Sequence, residues 1–303
     1  MPMNDSAVQV SIIVVNYNAG ELLTQSAGAA LGSSAGVEVF VVDNGSADGS
    51  VEALRLAHGA DGRLAIIENR ANLGFAAANN IAIGKTKGEF ILILNPDCVI
   101  RPDTIAGMLA VMKAHPEAGM AGPLIQNEDG TEQEGCRRDI PTLRTAFIRA
   151  FGLGGALGLP DFNKAGQPLP PGPEPVEAIS GAFMFIRRAA LERVGPLDEG
   201  YFLHCEDLDW CLRFTAAGYK ILFVPAVPVI HHKGVCGVSI PLTVEWHKSR
   251  GMTRFFRKFH GAGPVYWIVA AGVWARFGAM AAASRFRRAI GGYSRRGGGR
   301  PGG

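Results

Sequence analysis

Four short apolar runs, each stopped by a polar turn and followed by a helical stretch, fill the first 125 residues and leave few folds open. Val10 to Val15, Val37 to Val42, Leu64 to Ile67 and Phe90 to Leu94 are rich in β-branched side chains and apolar almost throughout. That is the pattern of strands covered on both faces. Between and after them, Glu21 to Leu31, Ser50 to His58, Phe75 to Ile83 and Pro102 to His115 are helical, the last opening on a first-turn proline. Strand and helix alternating across short gaps call for βαβ units, hence an open α/β domain with a mainly parallel central sheet flanked by helices. In such sheets ligands bind outside the carboxyl ends of the strands. Here those ends read Asn16-Tyr17-Asn18, Asp43-Asn44-Gly45-Ser46, Asn69 to Asn72 with Gly74, and Asn95-Pro96-Asp97. Any one of these suits a turn or an N-cap; four on one edge point to a site.

The rest of the chain is less regular. Pro160 to Glu177 holds six prolines in eighteen residues and is expected as a loop, and the glycines from Gly152 to Gly158 follow no strand and fit a flexible one. A strand over Ala182 to Ile186, a helix from Glu206 to about Ala217 ended by Gly218, and a strand over Ile221 to Ile230 come next. Pro225 and Pro228 suit that last strand to a sheet edge. From Arg250 to Gly303 there are eleven Arg or Lys and no acid, which leaves nineteen basic against 27 acidic residues before it. An acidic body with a basic tail suggests a ligand-handling domain and a contact with something anionic.

Ala262 to Ala275 is uncharged, but fourteen residues fall short of the roughly 20 that span a bilayer. Tyr266, Val269, Val273, Phe277 and Met280 share a helical stripe with Trp267 and Trp274 beside it. Arginines flank both ends, which favours an interfacial helix on an anionic membrane surface over one packed on the domain. The expected organisation is a catalytic or binding α/β domain over residues 1–249, in two parts that meet at 125/126. A basic amphipathic helical tail over 250–290 and a disordered Gly/Arg tail over 291–303 follow. Five scattered cysteines without C-x-x-C spacing, and an N-terminus with neither a basic start nor a long apolar run, fit a protein that stays in the cytoplasm.

A dinucleotide site would need G-x-G-x-x-G after the first strand, where the chain has Asn16-Tyr17-Asn18-Ala19-Gly20, and no G-x-x-x-x-G-K-[ST] occurs anywhere. Without a glycine cradle, a diphosphate at this edge needs a cation. Asp97 is a hard-oxygen ligand at a strand end, Asn95 can assist it, and His231 or His232 at the end of a later strand can complete a site for Mg2+ or Mn2+. A zinc site drawn from His204, Cys205, His231, His232 and Cys236 lacks any compact zinc spacing. The densest acidic cluster is His204-Cys205-Glu206-Asp207-Leu208-Asp209-Trp210. On a helix Asp209 pairs with Arg213 at i,i+4, which leaves Asp207 free to face a cleft, and Trp210 is a candidate stacking face. Acids there also complement a helix dipole.

These segments resemble the inverting glycosyltransferases of family 2, which have the GT-A fold, and within them a rhamnosyltransferase-like subgroup. The matching stretches are SIIVVNYN (Ser11 to Asn18), VVDNGSADGS (Val41 to Ser50), NLGFAAANN (Asn72 to Asn80), LNPD (Leu94 to Asp97), SGAFMFIRR (Ser180 to Arg188), EDLDWCLR (Glu206 to Arg213) and the paired histidines of VIHHKG. The resemblance implies that Tyr17 and Asp43 contact the base and ribose of a nucleotide sugar, with Asn72, Gly74, Asn80 and Asn95 on the nucleotide side. Asp97 takes the last position of a D-x-D metal motif whose first position here is Asn95, and His231 is the later metal contact with His232 as its alternative. Gly181 and Ala182 line the loop between donor and acceptor. Asp207 is the catalytic base, with Glu206 second. It further implies transfer of a sugar, rhamnose from dTDP-rhamnose or a UDP-sugar, to a glycan or lipid-linked acceptor in cell-envelope polysaccharide synthesis at the inner face of the membrane, without nucleic acid. The competing possibilities are a non-catalytic nucleotide-sugar or carbohydrate-binding protein and a nucleotidyltransferase.

Overall fold

Strand β1, Val10–Asn16, hides every side chain from Val10 to Val14 completely, Ser11 included. Only a strand with neighbours on both edges and helices on both faces does this. In the computed structural model, which describes residues 8–150, 162–232 and 241–296, β1 lies between β2, Val37–Asp43, and β4, Phe90–Leu94, with β3, Leu64–Glu68, beyond β2. All three pairings are parallel. The crossovers are α1, Glu21–Leu31, α2, Ser50–His58, and α3, Phe75–Ile83. Helix α4 spans Thr104–Ala114.

Past β4 the sheet changes character. The short β5, Cys98–Val99, and the long β6, Ala118–Gln126, are followed by β7, Arg137–Arg138, β8, Glu174–Pro175, β9, Ala178–Ile179, and β10, Phe183–Arg187. Then come α6, Arg188–Val194, α7, Glu206–Ala216, and β11, Lys220–His231. Here α5 is Leu143–Ala150. Strand β10 runs antiparallel to both β4 and β6, so the expected parallel sheet holds for the N-terminal half and becomes mixed beyond it. Strand β11 is not an edge: it pairs with β6 on one side and with β5 and β8 on the other. A register shift between Val224 and Pro228 accommodates its prolines. Strands β7 and β9 form a separate two-stranded sheet.

The described residues fall into two units, and the second takes in residues 141–150 and 241–296. This unit contains α5, α8, Pro241–His260, and α9, Pro264–Arg296, which packs on α8 and α5. The stripe of Tyr266, Val269, Val273 and Phe277 is the turned-in side of α9, with Tyr266 and Val269 buried. That stripe was expected to meet lipid; the opposite side carries the exposed Trp267, Ile268 and Trp274 together with Ala271, Ala275 and Gly278. Pro264–Arg285 is long and apolar enough to cross a membrane by length and composition, although Arg276 lies inside it. The helix also continues through residues 291–296, expected as disordered. Residues 151–161, with the glycine cluster, and 297–303 lie outside the described residues.

Candidate functional site

The antiparallel pairing of β5 with β11 sets Cys98 opposite His231, and the His232 amide donates to the Asp97 carbonyl at 2.9 Å. His231 Nε2 stands 3.0 Å from Asp97 Oδ1, and both residues are buried. That carboxylate oxygen has no hydrogen bond of its own. On the far side of the ring, His231 Nδ1 meets Gln133 Oε1 at 2.6 Å. An amide oxygen only accepts, so Nδ1 donates, and a neutral ring then turns a lone pair toward Asp97. Two such atoms this close and out of water require a proton or a cation between them.

The residues therefore fit a divalent ion. Cys98 adds a third atom, all three lying within 4.8 Å of one another. His232 is excluded from this set by strand alternation: its Nδ1 is bound to Glu128 Oε1 at 2.6 Å on the other face. Among the described residues His204 and Cys205 do not join His231, so the zinc alternative finds no geometry, and Cys236 lies outside them.

The second half of the site is built on α7. The chain reaches it through two consecutive residues in the left-handed region, His204 at φ 69° and Cys205 at φ 72°, a costly conformation for residues with a Cβ. Glu206 is buried with Oε2 unpartnered. Burial, then the neighbouring Asp207 charge, pushes its carboxyl up to about 8. Asp207 is more open, accepts the Leu208 amide at 2.8 Å and forms an ion pair with Arg138 of β7. That partner comes from the small β7–β9 sheet, which reaches across to Asp207. Asp209 does pair with Arg213, at 2.7 Å, and also accepts the Tyr201 hydroxyl at 3.1 Å. Trp210 is 0% exposed, donates to the Gly195 carbonyl at 3.0 Å and meets Phe214 edge to face. It packs the core and has no face left for an acceptor sugar.

Ala182 joins the two halves. Its carbonyl accepts the Asn95 amide at 2.9 Å and the Cys98 thiol at 3.4 Å. The adjoining Gly181 lies so close to Asp207 that a Cβ there would sit 3.4 Å from the aspartate's own. Residues 95–98, 181–182 and 207 thus form one continuous patch.

On the strand ends to the other side, Asp43 is buried and accepts from Asn16 Nδ2 at 2.8 Å and from the Gly45 and Ser46 amides at 3.1 and 3.0 Å. Tyr17 is 42% exposed beside it. Asn72 Oδ1 accepts the Gly74 amide at 3.0 Å. Gly74, at φ 86°, passes so near the Phe202 carbonyl that a Cβ would lie 2.7 Å from it. Asn80 clamps Leu197 in both directions, at 2.9 and 3.1 Å, and donates to Glu199 at 3.0 Å. Sequence reasoning missed Cys98, Gln133 and Arg138. Only Cys98, next to Asp97, carried a signal.

The profile described as "Glycosyl transferase family 2" matches residues 11–195. An N-acetylglucosaminyl-diphospho-decaprenol L-rhamnosyltransferase of Mycobacterium tuberculosis is 31% identical over 236 residues, 73% of this chain and 75% of that protein. Rhamnosyltransferase WbbL of Escherichia coli is 32% identical over 168 residues, covering 52% of this chain and 61% of its own. Among solved structures, a mannosyltransferase from Pyrobaculum calidifontis in complex with GDP-Man and Mn2+ superposes at a TM-score of 0.57 with 19% identity, covering 95% of this chain and 82% of that one.

Proposed function

The chain belongs to glycosyl transferase family 2, with a GT-A fold, and from that premise we propose that it transfers rhamnose from dTDP-rhamnose to a lipid-linked acceptor in cell-envelope glycan synthesis. Family membership sets aside the nucleotidyltransferase and non-catalytic alternatives. The observation that carries the site assignment is the buried, unbridged pair Asp97 and His231 on the same patch as Asp207. Asp97 and His231 would hold a divalent ion. Mg2+ or Mn2+ there supplies positive charge to the diphosphate as it leaves.

An acceptor hydroxyl does not ionise at neutral pH, so a carboxylate must take its proton as it attacks the anomeric carbon. Glu206 holds its own proton through that range and cannot accept another. Asp207 is the base, kept in place by Arg138 and the Leu208 amide. Attack from the face opposite the leaving group inverts the carbon, with no covalent enzyme intermediate. Tyr17, Asp43, Asn72, Gly74 and Asn80 form or brace the donor's nucleotide side. The N-terminal part, through residue 125, serves mainly the donor and residues 126–249 serve mainly the acceptor.

A lipid-linked acceptor is supported by the name of the mycobacterial relative and by the exposed apolar side of α9. That side, with the basic residues from Arg250 onward, suits an anionic membrane surface at the cytoplasmic face. Calorimetry with dTDP-rhamnose, UDP-glucose, UDP-galactose and GDP-mannose, each with Mn2+ and with EDTA, tests the donor. One donor should bind in a metal-dependent way, Asp97→Ala should abolish it, and Asp207→Asn should bind like the wild type while turnover collapses. Binding of none of the four would end the donor proposal.

A further inference from the structure

We propose that Gln133, which touches no reacting atom, positions His231 by fixing a proton on its Nδ1, so that Nε2 is the nitrogen left to meet a metal ion beside Asp97. This rests on Asp97 and His231 being the metal pair. The argument is a chain of hydrogen bonds whose directions are each forced by the next. It starts at the surface, where Asp129 Oδ1 takes the Thr131 hydroxyl proton at 2.6 Å and the Thr131 amide at 3.0 Å. Those two bonds hold the Asp129 carboxyl below its usual range, so it is an acceptor only. With its proton committed, Thr131 Oγ1 accepts from Asn127 Nδ2 at 2.9 Å. Asn127 therefore presents its oxygen to Gln133, whose Nε2 donates to it at 3.0 Å.

The same Nε2 donates to the His231 main-chain carbonyl at 3.2 Å, an acceptor that cannot exchange roles. Amide orientations are set by such networks, and this one is pinned at both ends. Gln133 Oε1 can then only face His231 Nδ1 as an acceptor. The turn is held by its own backbone: Asn127 N to Thr131 O and Gln133 N to Ile125 O, each 2.9 Å. Gln133 is buried, so water does not substitute for it. A cation beside Asp97 would then meet the Nε2 lone pair directly. Second-shell partners of this type change metal affinity by about 10–100-fold.

The test uses the full chain with Gln133→Leu, which removes the acceptor, and Gln133→Glu, which keeps one. In 15N-histidine-labelled protein, NMR should find a slowly exchanging Nδ1–H on His231, identified by its loss in His231→Gln, both without metal and with Mg2+. It should be present in wild type and Gln133→Glu and absent in Gln133→Leu. Mn2+ affinity, read from the paramagnetic resonance of the free ion with dTDP present, should fall at least tenfold in Gln133→Leu and stay within a few-fold in Gln133→Glu. A wild-type Nδ1 without its proton overturns the proposal, as does a Gln133→Leu protein that binds Mn2+ like the wild type while Asp97→Ala does not. If Asp97→Ala itself binds Mn2+ normally, the metal pair is wrong, and the metal-free NMR alone decides what Gln133 does to His231.

Discussion

Two adjacent carboxylates, Glu206 and Asp207, differ in chemistry because one is buried with an oxygen left unpartnered and the other is held by Arg138 and an amide. Folded Glu206 keeps a proton that the unfolded chain gives up above the ordinary glutamate value of 4.5. Its contribution to stability is therefore whole below that value and is lost as pH rises through about 8. Glu206→Gln removes this dependence. In urea titrations between pH 5 and 9 the variant should gain on the wild type as pH rises, by at least about 1 kcal/mol at the alkaline end. Parallel curves would mean that Glu206 is not held protonated. Residues at strand ends, such as Asp97 and His231, were legible because topology alone puts them on the ligand edge. Trp210 was misjudged, because the sequence does not say which side of a helix meets the core. Gln133 and Arg138 carried no local sign: each matters only for a partner 98 or 69 residues away.

Among the elements, the first four strands and the crossover helices were readable because each is long enough to show a period. Strands β5, β7, β8 and β9 have two residues apiece and show none. Yet β7 delivers Arg138 and β5 sets Cys98 opposite His231. The left-handed pair before α7 has a measurable cost. His204→Gly and His204→Ala both lose the imidazole, but only glycine relieves the left-handed φ of 69°, so the glycine variant should exceed the alanine one by about 0.5–1 kcal/mol in thermal melts. An alanine variant as stable as the glycine one would remove the strain argument. For α9, the stripe was found but its direction was not, since the helix is apolar on both sides. Trp267→Ser with Trp274→Ser should weaken binding to anionic vesicles about tenfold or more in sedimentation assays. Tyr266→Ser, on the buried side, should lower stability instead. Equal vesicle binding by the double variant would rule out this face as the lipid contact.

For the molecule as a whole, the sheet is parallel where residues 10–94 build it and mixed where later strands join, and the candidate site sits where the two parts meet. The parallel part was foreseeable from alternation. The reversal at β10 was not, because antiparallel insertion leaves no mark on the inserted strand's own sequence. That reversal seats Phe183 against Leu94 and so brings Ala182 to Asn95. The proposed donor and acceptor sides are thus fastened along the pairing of β10 with β4 and through the bonds of Asn80 to Leu197, and the exposed Pro171 takes part in neither. Three residues inserted after Pro171 should leave donor binding by calorimetry unchanged; a loss would show that this loop supports the donor side. The length of that exposed stretch is in this sense uncoupled from the pairing of β10 with β4. A lineage with this architecture can redraw the loops that greet the acceptor, and acquire a new glycan product, without re-solving the problem of handling the activated sugar.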